Sequence, residues 1–256
     1  MNLELENQLF IVGGATSGFG KAVAHKLLEE GAAVIAVARN REQLHELYDV
    51  HRNAEVVVGD ITQSFTIEQL KQQVADRTLH GMLVNAGGPP AKTVLETTLT
   101  DWDDAYAKIL RWKVEITQAF VPTMSKAGYG RIVYIESSSV KQPIENLVLS
   151  TSLRLAVVGM VKTLSQEIAK SGVTLNILGP GSHNTPAIDR LYHKKSEQTG
   201  LPFEEVKQTA IQQIPVGRLG EADDFASLAV WLLSKQSGYV TGQTIMIDGG
   251  AVRSTL

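Results

Sequence analysis

Leu9-Phe10-Ile11-Val12-Gly13-Gly14-Ala15-Thr16-Ser17-Gly18-Phe19-Gly20 is the stretch whose reading decides the fold. Its first four residues are aliphatic or aromatic and predict a buried strand. The glycine-rich turn after them opens an amphipathic segment over 21–30 that predicts a helix. Glycines between a strand and a helix let the backbone turn tightly and approach a pyrophosphate, whose charge then rests at the helix N-terminus. Gly14, Thr16, Ser17, Gly18, Phe19 and Gly20 are therefore the first candidate dinucleotide-binding residues.

The same alternation runs outward along the chain. Val34-Ile35-Ala36-Val37-Ala38, Glu55-Val56-Val57-Val58, Met82-Leu83-Val84 and Arg131-Ile132-Val133-Tyr134-Ile135 predict further strands, as do 173–178 and 244–247. Continuous apolar runs of this kind suit parallel strands buried on both faces. Long helical patterns cover 101–126, 153–170 and 222–233. The expected architecture is α/β, a Rossmann-type doubly wound parallel sheet of about seven strands. It forms a single NAD(P)-binding domain over 1–256, with no repeat or interdomain linker. The polar segment over about 186–215 interrupts the pattern and is expected to form a lid over the ligand crevice.

Three strand ends add candidate contacts. Arg39 follows the second strand where an acidic residue would bind the ribose 2′-hydroxyl of NAD; an arginine there favours the 2′-phosphate of NADP(H). Asp60 and Ile61 follow the third strand, where a carboxylate can accept the adenine amino group. Asn85-Ala86-Gly87-Gly88 closes the fourth.

Composition narrows the partners. The 256 residues carry a formal net charge of −3, which gives no basis for nucleic acid or an anionic membrane as partner. The absence of cysteine excludes disulfides, thiolate metal sites and cysteine nucleophiles, and no metal is expected. The N-terminus is acidic where a signal peptide needs base, and no uninterrupted apolar run reaches membrane-span length. A cytoplasmic protein acting on a small molecule is expected.

Taken together, these residues resemble the short-chain dehydrogenase/reductase family, in the branch of 3-oxoacyl-[acyl-carrier-protein] reductases and related carbonyl reductases. Gly13 to Gly20 is similar to the family's Thr-Gly-x-x-x-Gly-x-Gly turn, with Gly13 in the threonine position. Val84-Asn85-Ala86-Gly87 resembles its Asn-Asn-Ala-Gly. Pro180-Gly181-Ser182-His183-Asn184-Thr185 resembles the Pro-Gly-x-x-x-Thr that packs on the nicotinamide, which adds Pro180, Gly181 and Thr185 to the cofactor set. The ending, from Gly217-Arg218-Leu219-Gly220 through Tyr239-Val240-Thr241-Gly242 to Asp248-Gly249-Gly250, is similar as well. The resemblance implies a homotetramer or homodimer, built by the long helices around Lys113 and Val157 and by the C-terminal strand.

The resemblance also implies a catalytic Ser, Tyr and Lys with an Asn, and here the chain departs from it. Aligning 130–133 with the family's fifth strand puts the Ser at Ser137, the Tyr at Ser150, the Lys at Arg154 and the Asn at Ile109. A tyrosine beside a cation can donate a proton near neutral pH, whereas a serine hydroxyl is far too weak an acid. Arginine keeps its proton, yet its fork of donors can hold a carboxylate or polarise a carbonyl. The substitute proton donors on offer are Lys141, Tyr192, His183, Tyr106 and Lys113, the last two expected on one helix face with Ile109. Three readings stay open. One is a reductase with a rearranged acid, and another a non-catalytic dinucleotide-binding protein. The third is an enzyme in which Arg154 anchors an acidic substrate while water supplies the proton.

Overall fold

Seven parallel strands form one sheet in the computed structural model, which describes residues 2–255. They are β1 (Leu9–Gly13), β2 (Ala33–Ala38), β3 (Ala54–Val58), β4 (Gly81–Val84), β5 (Gly130–Ile135), β6 (Val173–Pro180) and β7 (Thr244–Ile247). Their order is β3-β2-β1-β4-β5-β6-β7, so the winding reverses between β1 and β4. A doubly wound sheet opens its ligand crevice at such a reversal, outside the carboxyl ends of the strands. The register pairs Val12 with Leu83, which brings the turns after β1 and β4 side by side.

Helices cover both faces. On one side lie α1 (Gly18–Glu29), α2 (Arg41–Tyr48) and α9 (Ala222–Leu233), packed through Val23, Leu27, Tyr48, Phe225 and Val230. On the other lie α3 (Ser64–Val74), α5 (Trp112–Ala127) and α6 (Val148–Glu167), packed through Leu70, Trp112, Ile116, Val157 and Val161. The short α4 (Leu99–Tyr106) runs into α5 through a π-helical turn over Ala107–Arg111. A π turn frees a backbone carbonyl, and the Trp112 indole donates to the Lys108 carbonyl oxygen at 2.9 Å.

The expected lid is two helices, α7 (Pro186–Thr199) and α8 (Phe203–Gln212), with a small apolar core of their own. Its tether points are visible: the Lys194 ammonium donates to the Ala91 carbonyl oxygen at 3.2 Å. The lid thus reaches the loop that follows β4.

Several expectations need correcting. α6 starts at Val148 rather than at 153, because Ser150, Thr151 and Ser152 sit inside its first turns instead of capping it. The π turn breaks the expected common face of Tyr106, Ile109 and Lys113: Tyr106 is exposed while the other two are buried. Lys113 and Val157 face the interior of the protomer and are not surface residues. By length and composition α6 is apolar enough to cross a membrane. Here one side of it, through Leu149, Val157 and Val161, packs in the core, while Leu155, Ala156 and Gly159 stay exposed.

Candidate functional site

Every proposed cofactor contact lies at the carboxyl edge of the sheet. In the turn after β1, Gly14 has φ +66°, and a Cβ there would lie 2.7 Å from the Asn85 side-chain nitrogen. Gly20 is buried directly against the turn, where a Cβ would overlap the Gly14 carbonyl oxygen and lie 2.6 Å from that of Gly13. The turn and the first helical turn are thus in backbone contact, which aims the free N–H groups at the start of α1 into the crevice. Thr16 is half-buried, and Ser17 is the exposed residue preceding the helix; its side chain makes no capping bond. Gly18 opens α1 facing the Thr185 methyl, 3.5 Å from where a Cβ would stand. Phe19 is different in kind: its ring packs on Phe225 at 4.3 Å and edge-on to His183 at 5.0 Å, as a wedge under the turn.

Arg39 is exposed immediately after β2 and has no partner among the described residues, so its guanidinium is free for a ligand. Asp60 uses one carboxylate oxygen to accept from the Thr62 backbone N–H (3.0 Å) and hydroxyl (2.8 Å). Ile61 is buried against Gly13. Asn85 donates from its side chain to the Gly13 carbonyl oxygen at 3.2 Å and ties the two neighbouring turns together. Ala86 is half-buried beside it and Gly87 is open. Pro180 ends β6, the Gly181 N–H donates to the Ile247 carbonyl oxygen at 2.9 Å, and Thr185 precedes α7, buried against Gly18.

The candidate catalytic positions carry a network that the sequence did not announce. Ser137 follows β5, half-buried, and its hydroxyl oxygen accepts from the Ser139 N–H at 3.1 Å. Ser150 is buried, and its oxygen accepts from Arg154 Nε at 2.9 Å across one turn of α6. Arg154 Nη1 donates to the Ile135 carbonyl oxygen at 3.3 Å and to Glu136 Oε2 at 2.9 Å. The other oxygen of Glu136 accepts from Lys113 Nζ. One buried carboxylate therefore serves two cations, drawn from α5 and α6. Burial pushes the Lys113 ammonium down to about 8; the Glu136 carboxylate opposes that shift and the Arg154 guanidinium adds to it.

Glu136 was not among the residues singled out from sequence. The available signal was an acid following five residues of buried strand, directly before Ser137. Of the substitute donors, only Lys113 joins the catalytic positions. Lys141 is exposed. Tyr192 is buried in the lid's own core beside Phe203, and burial raises its hydroxyl's pKa. His183 is buried between Phe19 and Phe225, where burial lowers its pKa and Nδ1 lies 3.1 Å from the Gly181 carbonyl oxygen.

Comparison with known proteins identifies relatives along nearly the whole chain. A family profile described as enoyl-(acyl carrier protein) reductase covers residues 14–252. The 3-oxoacyl-[acyl-carrier-protein] reductase of Thermotoga maritima is 30% identical over 259 residues, covering 98% of this chain and all of that one. Dehydrogenase/reductase SDR family member 6 of Xenopus laevis is 31% identical over 249 residues, covering 96% of this chain and 98% of its own. Among solved structures, an actinorhodin polyketide ketoreductase with NADPH superposes with a TM-score of 0.91 at 27% identity, over 96% of this chain and 98% of that one.

Proposed function

The chain belongs to the short-chain dehydrogenase/reductase family, and from that premise we propose that it is an NADP(H)-dependent carbonyl reductase of the 3-oxoacyl reductase kind, with Ser150 and Arg154 standing where the family's tyrosine and lysine stand. The observation that carries this reading is the close backbone contact between the turn after β1 and the first turn of α1 at Gly20, which leaves no room for a Cβ. The bound nicotinamide supplies the hydride. When the cofactor binds, the N-terminus of α1 would hold its pyrophosphate, Arg39 would meet the 2′-phosphate, and Asp60 would accept from the adenine through its remaining lone pairs. Asn85, by holding Gly13, fixes the turn after β4 to the turn after β1.

At the reacting end, the Ser137 hydroxyl donates a hydrogen bond to the substrate oxygen without transferring its proton, since its own oxygen already accepts from Ser139. Arg154 adds positive charge beside the developing alkoxide without giving up a proton, and water supplies that proton. The lid, tethered by Lys194 to Ala91, restricts the crevice to bulk water.

Calorimetric titration with NADPH and NADH tests the cofactor half. NADPH is expected to bind the tighter, and Arg39→Ala to weaken NADPH roughly ten- to hundredfold while leaving NADH unchanged. Equal loss for both would remove Arg39 from the 2′-phosphate site. NADPH oxidation against ketones and 3-oxoacyl thioesters tests the catalytic half; binding without turnover on any of them favours the non-catalytic alternative, a redox sensor or partner subunit.

The assembly we propose is a homotetramer, supported by the uncovered apolar side of α6 around Leu155, Ala156 and Gly159. Light scattering after gel filtration is expected to give four times the protomer mass. Leu155→Glu should shift it to a smaller species, and an unchanged mass would point to a different interface.

A further inference from the structure

Lys113, Glu136 and Arg154 form a closed cluster whose charges do not cancel. Their side chains are 4%, 0% and 12% exposed, and the cluster holds two cations against one carboxylate. No other acid contacts either cation among the described residues. A buried surplus charge is unfavourable unless a partner arrives to share it. The surplus has an outlet on one side only. Nε and Nη1 of Arg154 are engaged by Ser150, Ile135 and Glu136, whereas Nη2 has no partner among the described residues. It points to Gly88, where a Cβ would lie 3.4 Å from it, and Gly88 is exposed in the loop after β4. The free edge of the guanidinium therefore opens on the crevice.

We propose that the substrate carries a carboxylate that docks on Arg154 Nη2, with Lys113 providing the spare positive charge that makes this docking favourable. The match is one of charge as well as geometry. A carboxylate brings one negative charge to a surplus of one, where a phosphate would overshoot it. Glu136 is the positioning residue: it orients Arg154 from beneath and couples it to Lys113. The inference rests on the reductase reading and names the substrate class for the same site, an oxo acid.

Binding to the NADP⁺-saturated protein tests it, because the oxidised cofactor allows an oxo acid to bind without reacting. The probes are 2-oxohexanoate and 5-oxohexanoate, each beside its methyl ester. At least one acid is expected to bind roughly ten- to hundredfold more tightly than its ester. Arg154→Gln should reduce that preference to about threefold or less. Lys113→Met should also shrink it, although Arg154 remains, because Glu136 then offsets the whole of the guanidinium charge. A purely structural role for Lys113 would lower both ligands' affinities together.

A pH series on the unmutated protein gives an independent arm if either variant fails to fold. The charged groups facing Lys113 are Glu136, directly after β5, and Arg154 from α6, with Tyr134 of β5 beside Glu136. Tyr134, bonded to Thr117 and buried, is held well above its usual range and stays neutral. Raising pH through about 8 therefore removes the Lys113 charge alone, and the acid-over-ester preference is expected to fall between pH 7 and 9.5. Acids and esters binding alike, a preference that survives Arg154→Gln, or one that is flat across this pH range would each overturn the proposal. Failure to bind NADP⁺ or NADPH would instead overturn the reductase reading beneath it.

Discussion

Glu136→Gln is expected to lower the melting temperature by roughly 10 °C, the largest stability change that a single polar substitution should produce in this protein. Glu136 is fully enclosed and is the shared counter-ion of Lys113 and Arg154. Removing one partner of a buried ion pair typically costs about 3–5 kcal/mol, because the cation left behind remains desolvated. Here two cations would be left facing each other. The amide keeps one acceptor oxygen but turns an N–H donor towards a second donor, so the isosteric change repairs only half of the loss. For a domain of this size each kcal/mol shifts melting by about 2–4 °C. The double variant Glu136→Gln, Lys113→Met removes one stranded cation and should regain part of the loss, which a double-mutant cycle measures directly. A single variant that melts within about 2 °C of the parent would mean that the cluster is better hydrated than its burial indicates.

Gly20→Ala is the second large effect, and it acts on binding as well as stability. The added methyl would overlap the Gly14 carbonyl oxygen and stand 2.6 Å from that of Gly13, both backbone atoms of a turn that cannot move independently. Either α1 slides away from the turn or the turn unwinds. Overpacking of this kind costs about 1–3 kcal/mol. The same displacement re-aims the N–H groups that would hold the pyrophosphate, so NADPH affinity should drop by roughly a hundredfold or more. Gly87→Ala is the melting control, since its methyl would meet nothing within 4 Å. If Gly20→Ala keeps full NADPH affinity, the glycine turn does not bind the nucleotide, and the proposed function loses its main support.

Much of the site could be read from the chain because its parts are local. A turn of glycines between a strand and a helix is encoded within eight consecutive residues, Gly13 to Gly20. Arg39, Asp60 and Asn85 follow strands whose ends their own apolar runs mark. The spacing of Ser150 and Arg154 from Ser137 was also legible, since it depends only on counting along the chain. Less legible were element starts governed by packing. The helical pattern was read from 153, but the Ser150 hydroxyl is satisfied by Arg154 one turn on, and the helix begins earlier at Val148. Tyr106 was misplaced because a π turn adds a residue to the helical repeat, which no regular periodicity registers.

The sequence by itself determined a doubly wound α/β domain and a glycine turn between its first strand and first helix, and it put Ser150 and Arg154 at a fixed spacing after Ser137. These follow from short-range propensity, from the apolar pattern of buried strands and from spacing along one chain. Only the tertiary structure decided what surrounds Ser150 and Arg154. Lys113, Glu136 and Arg154 lie on α5, after β5 and on α6, and no local rule relates them. Their pairing arises because both helices pack on the same face of the sheet beside β5, where a buried carboxylate must find its cations or not ionise at all.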